Sequence, residues 1–203
     1  MSRPEIFISI DIETDGPAPG LNSMLSLGAA AFTPRSDDGA AWEETGTWYS
    51  TLYPLLEATP DPETMAWWET QQAAWDEVSS NRRLPDAAIP EFTRWCGQLP
   101  GKTIAVAWPA AFDFAFVNYY CHRYADRNPL GFACLDIRSY ANGLAGYPSY
   151  YGLPEKQVRA MAGDINKTGL RPHVAVDDAI EQGRLFMALR RKAAQSTSRG
   201  GAE

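Results

Sequence analysis

Two acids, Asp11 and Glu13, stand two residues apart at the end of the apolar run Ile6 to Ile12. Alternate side chains of an extended strand share a face, so both carboxylates project to one side and need a counter-ion. Taken alone, such a pair is also what an ordinary solvent-facing strand end looks like. A third acid, Asp113, lies among aromatics in Phe112-Asp113-Phe114-Ala115-Phe116, and by itself it reads equally as a helix cap. A fourth, Asp178, follows His173 by five residues at an expected helix start, so the acid faces inward while the imidazole stays on the approach. His173 in isolation is equally an exposed loop residue, and His122, which has no acidic context, is read as one. Acids gathered from separate segments bind divalent cations.

The elements that must position these residues are legible from pattern. Ile6 to Ile12 and Met24 to Phe32 read as two strands joined through the Gly/Pro-bearing turn Gly16 to Gly20, a hairpin, and Thr47 to Tyr53 as a third antiparallel strand. Asp61 before Pro62 is an N-cap followed by a first-turn proline, leading into helices over 63–69 and 71–78. A helix is expected over 86–99, a buried strand over 103–108, a helix over 112–124 and a short strand over 132–135. Val174 to Lys192 has the apolar spacing of a closing helix with His173 at its N-terminus. The domain is expected to span 1–194, with the Ser/Gly-rich segment 195–203 as a disordered tail.

Taken in order, the three acidic elements resemble the DEDDh exonuclease superfamily, whose motifs read Asp-x-Glu, Phe-Asp and His-x-Ala-x-x-Asp-Ala. Here they are Asp11-Ile12-Glu13, Phe112-Asp113 and His173-Val174-Ala175-Val176-Asp177-Asp178-Ala179. The run Asp61-Pro62-Glu63-Thr64-Met65-Ala66-Trp67-Trp68 looks like an element of phage and bacterial 3′→5′ exoribonuclease-like proteins. The resemblance implies an α/β, ribonuclease H-like fold: a central mixed β-sheet, its first three strands antiparallel, flanked by α-helices. One departure stands out, because many relatives carry His-Asn where this chain has Trp108-Pro109, which puts nucleotide contacts in doubt more than the chemistry.

The resemblance further implies two cations held by Asp11, Glu13, Asp113 and Asp178, with His173 as the base that takes a proton from the attacking water. An oxygen-rich site suits Mg²⁺ or Mn²⁺, whereas zinc recruits His or Cys ligands that this constellation lacks. Substrate would be the 3′ end of single-stranded RNA or DNA, RNA somewhat favoured, and the products nucleoside 5′-monophosphates. By analogy Thr14 contacts the terminal sugar. Trp67, Trp68, Phe114, Tyr150 and Tyr151 are candidate stacking rings, although large aromatics are more often buried. Arg138, Lys156, Arg159, Lys167 and Arg171 precede His173 as a basic stretch that draws in phosphates or is merely a solvated face. Relatives pair, so a homodimer is implied.

Composition sets the outer limits. With 203 residues and 45% hydrophobic content, one core needs no disulfide, and three cysteines without Cys-x-x-Cys spacing suggest a reducing, cytoplasmic setting. No apolar run is long enough for a membrane span. A net charge of −7 argues against an extended duplex footprint, though a single-stranded end needs few phosphate contacts. A DNA-trimming exonuclease is the rival within enzymology. A non-catalytic nucleic-acid- or nucleotide-binding module is the rival outside it, disfavoured because the acidic set is complete.

Overall fold

The computed structural model describes residues 4–35, 41–149 and 151–200, with backbone alone for 196–200. Strands β1 (Glu5–Thr14), β2 (Met24–Pro34), β3 (Trp42–Thr51), β4 (Lys102–Ala107) and β5 (Cys134–Asp136) form one sheet in the order β3-β2-β1-β4-β5. The β1–β2 and β2–β3 pairs are antiparallel, as expected, and β4 and β5 add in parallel on the other side of β1. The third strand begins at Trp42, earlier than the pattern suggested. Its first half carries Glu43, Glu44 and Gly46, the charge and glycine that blunt a sheet edge and also hide it from a hydrophobic reading.

Alternation along β1 divides the molecule. Ile6, Ile8, Ile10 and Ile12 enter one core beneath α3 (Pro85–Gln98) and α4 (Ala110–Tyr124), with Phe92, Phe116 and Tyr120. Phe7 enters a second core on the opposite face, against α5 (Ile137–Ala145), α6 (Glu155–Ala162) and α7 (Ala175–Gly200), with Phe186 and Leu189. Asp11 and Glu13 share the parity of Phe7, so they face α7. Helices α1 (Pro62–Trp68) and α2 (Gln72–Ser79) pack a smaller cluster, Trp68, Ala74 and Val78, against Leu25 of β2. Asp61 caps α1 as read, its carboxylate accepting the Thr64 N–H at 2.8 Å, with Pro62 in the first turn.

Helix α7 lies on β2 because two glycines let it. A Cβ on Gly28 would collide with the backbone of Ala175 and Val176, and one on Gly183 with the ring of Phe32. Eight helical residues rise about 12 Å, and the four strand residues from Gly28 to Phe32 span about 13 Å, so helix and strand run side by side. Gly28 is the partner of Asp11 in the β1–β2 ladder, so this contact sets the start of α7 next to the acids. The helix continues to Gly200, beyond the expected end at Lys192 and into the segment read as a tail; residues 201–203 lie outside the described residues. Helices α5 and α6 had no counterpart in the sequence reading. One carries an Asn-Gly step and the other spans eight residues behind Pro154, so neither offers a long periodic signal.

Candidate active site

The acids meet at the carboxyl end of β1. Glu13, His173 and Asp178 each present a ligand atom, and these lie within 4.8 Å of one another. Asp11 is flanked by the carboxylates of Asp113, Glu13 and Asp178. Asp113 enters from the first turn of α4, buried at 3% exposure, and its carboxylate accepts the backbone N–H of Ile12. Thus β1, α4 and α7 converge on one point, which brings together all five residues read as the acidic set and its imidazole.

Electrostatics show what the cluster requires. Burial, then the carboxylates of Asp113, Glu13 and Asp178, push Asp11 well above the usual carboxylate range, against the opposing effect of a Gln182 hydrogen bond. Burial, then Asp178 and Asp113, push Glu13 up to about 8. Burial first, with Asp136 adding, pushes Asp113 up to about 7. Burial also raises Asp178, opposed by the backbone N–H and the imidazole of His173. Asp113 Oδ2 is buried without a hydrogen-bond partner among the described residues. Buried like charges and an orphaned acceptor are what a bound cation would satisfy, so the residues present fit hard divalent ions. His173 also comes within ligand reach, so the constellation does not lack an imidazole as the sequence reading held.

This predicts a pH-dependent stability that metal reverses. Folded, metal-free Glu13 binds its proton up to about 8, against an ordinary value of 4.5. Its contribution to stability is therefore fully present below pH 4.5 and is lost as pH rises through about 8, and Asp113 follows the same sign between 3.8 and about 7. Chelated protein should melt lower at pH 8.5 than at pH 6, and Mn²⁺ should raise the melting temperature more at the higher pH, since binding displaces those protons. Thermal scans with EDTA or Mn²⁺ at both values check this. A melting temperature indifferent to both variables would count against the cation reading.

His173 has φ +60°, a left-handed conformation that non-glycine residues adopt only when held. Two contacts hold it. Its backbone N–H donates to Asp178 Oδ2 at 2.8 Å, and its ring meets Trp67 edge-on, with centroids 4.9 Å apart and planes at 87°. The adjacent tryptophan corrects the sequence reading: Trp68 is 2% exposed, and its indole N–H donates to the Thr14 carbonyl at 2.9 Å. It anchors Thr14, at the irregularity that ends β1, and has no free face for a base. Trp67 is 39% exposed and has one. Phe114 is half-buried against the α3/α4 core, Tyr151 is exposed, and Tyr150 lies outside the described residues.

Most of the basic stretch is already spent. Arg159 and Lys167 both pair with Glu181, and Arg171 pairs with Asp177 at 2.9 Å and Glu77 at 3.0 Å. Two residues escaped the sequence reading. Gln182 donates to Asp11 Oδ1 at 2.6 Å; its signal was the four-residue spacing from Asp178, which puts both on one face of α7. Asp136, at the end of β5, caps α5 through Ser139 and accepts the Ala110 N–H at 3.1 Å beside Asp113.

The profile of the 3'-5' exoribonuclease Rv2179c-like domain matches residues 6–189. The chain is 30% identical over 190 residues to the 3'-5' DNA exonuclease Cap18 of Escherichia coli, covering 90% of each chain. Among solved structures, the nuclease domain of 3'hExo, a DEDDh family member bound to rAMP, superposes with a TM-score of 0.63 at 14% identity, covering 94% of both chains. E. coli Exonuclease I in complex with a dT13 oligonucleotide gives 0.61 at 17% identity, and this chain spans 42% of its length. The ribonuclease H-like sheet is thus shared with DEDDh exonucleases, and no described helix is long and apolar enough to cross a membrane. On a profile match that runs from the first strand into the last helix, the chain belongs to the Rv2179c-like 3′-5′ exoribonuclease domain family.

Proposed function

We propose that this protein is a 3′→5′ exonuclease that hydrolyses single-stranded ends to nucleoside 5′-monophosphates, with RNA favoured. The observation that carries the reading is the convergence of four mutually repelling carboxylates with one imidazole at the end of β1. Asp11, Glu13, Asp113 and Asp178 would hold two divalent cations, Mg²⁺ or Mn²⁺, between them. When bound, such a pair neutralises the acids and stabilises the entering and leaving oxygens of an in-line displacement. His173 accepts the proton of the attacking water, its backbone held by Asp178 and its ring by Trp67. Gln182 fixes the Asp11 carboxylate through their hydrogen bond. Thr14 contacts the terminal sugar, with Trp67 in the stacking role first given to Trp68, and Phe114 as a further ring. The reading includes a homodimer, which the resemblance implies, and a cytoplasmic setting, for which the three free cysteines are the support.

A second reading has its own support. The E. coli relative is a DNA exonuclease by name, whereas the family profile is named for RNA, so DNA trimming is the competing assignment. Incubation with 5′-labelled and 3′-labelled RNA and DNA strands, with Mg²⁺, Mn²⁺ or chelator, tests both. The proposal expects a ladder from 5′-labelled RNA, early release of a labelled mononucleotide from the 3′-labelled strand, and no reaction with chelator. Faster loss of DNA selects the second reading, and internal cuts refute both.

A further inference from the structure

We propose that Arg138, laid on the Trp108 ring, binds the internucleotide phosphate immediately 5′ of the scissile one. This subsite rests on the exonuclease reading and says which way the strand leaves the acids. Trp108 directly follows β4 and packs against the core that Val106 enters, on the face of the sheet that carries Asp11. It stands where the sequence departs from the His-Asn of the resembled pattern. Asp136, whose charge reaches Asp113 and whose Oδ2 accepts the Ala110 N–H, precedes Arg138 by two residues. Trp108 and Arg138 therefore flank the acids at the carboxyl ends of β4 and β5, where open α/β sheets bind ligands.

The guanidinium lies 5.5 Å from the Trp108 centroid, and its Nε is buried with no hydrogen bond among the described residues. Arg159 also approaches this ring, at 5.9 Å, but two glutamates, Glu155 and Glu181, already hold it. Lys167 and Arg171 are paired as well, whereas no carboxylate pairs with Arg138 among the described residues. A cation that faces an aromatic ring and has no acid keeps its terminal N–H groups, in the guanidinium plane, for an incoming anion, and that planar pair matches phosphate. Polarity follows from the opposite flank. Thr14, Trp67 and His173 stand at the β2 side of β1, where the Gly28 contact places the start of α7. If the terminal nucleoside sits there, the rest of the strand departs over β4 and β5, past Arg138.

The test compares 5′-hydroxyl dinucleotides, which contain only the scissile phosphate, with trinucleotides, which add one phosphate on its 5′ side. Wild-type protein should show a lower KM for the trinucleotide. Arg138→Gln should raise the trinucleotide KM by about tenfold, the scale of one charge-assisted hydrogen bond, leave dinucleotide kinetics unchanged and lower the salt slope of binding by about one. Arg138→Lys should recover part of the trinucleotide advantage. Equal loss on both substrates, or a lowered melting temperature for both variants, would mean that Arg138 only packs Trp108, and the subsite falls. Cleavage of both by wild type with no effect of Arg138→Gln removes the subsite alone, whereas cleavage of neither removes the exonuclease reading and the subsite together.

Discussion

Asp11→Asn should lower nucleolytic turnover by about 10³-fold or more while raising the melting temperature of the metal-free protein at pH 8. The two effects have one origin. Asp11 is pressed by burial and by three neighbouring carboxylates, so its charge is costly unless cations balance it. Asparagine keeps the shape and an Oδ1 acceptor for Gln182, and it removes the charge. The metal-free fold then loses a repulsion, and the site loses one of the four acids that would hold the cations. Removing a single donor that stabilises a developing oxyanion costs about 10²–10³, and losing an acid that would hold the cations should cost at least as much. Steady-state kinetics with Mn²⁺, alongside thermal scans in EDTA, read both signs. A variant that is fully active, or inactive but less stable than wild type, would show that Asp11 is not held in an electrostatically strained cation site.

His173→Asn should reduce kcat by about 10²–10⁴-fold, the range of a positioned general base, with a small change in KM. Asparagine is chosen because it tolerates the left-handed backbone that His173 occupies, so lost activity is not lost conformation. The residue offers its backbone N–H to Asp178 in either form, and the N-terminus of α7 stays in place. The decisive second measurement is the Mn²⁺-induced thermal shift. Its retention is expected if His173 acts on water. A shift that collapses together with activity would instead assign the imidazole as a ligand, a role that its distance to Glu13 and Asp178 permits.

Residue type and local spacing marked the acids and His173 as candidates before any tertiary information. The Asp11/Glu13 pair had to share a face because strand side chains alternate, and the structure places them together toward α7. Asp61 capped α1 as read, since a cap is an interaction over three residues. Where contacts span the chain, the reading failed. Trp67 and Trp68 are neighbours in sequence, yet successive helical residues point about 100° apart, and only the docking of α1 on β2 decides which ring is buried. The basic stretch stayed open between a phosphate-gathering surface and a solvated face, because one of its partners, Glu77, lies on a helix far away in sequence that no local pattern could bring to Arg171.

The sequence by itself determined the four acids and the imidazole as candidates, the order in which they occur and the strands and helices that carry them, because these follow from short-range periodicity and turn chemistry. Tertiary structure alone decided that Gly28 admits the start of α7 beside Asp11, that Gln182 holds that carboxylate, and that Asp136 and Arg138 border the site. Each of those depends on packing between segments far apart in the chain, where a missing Cβ or a helix rotation fixes distances that no local pattern encodes.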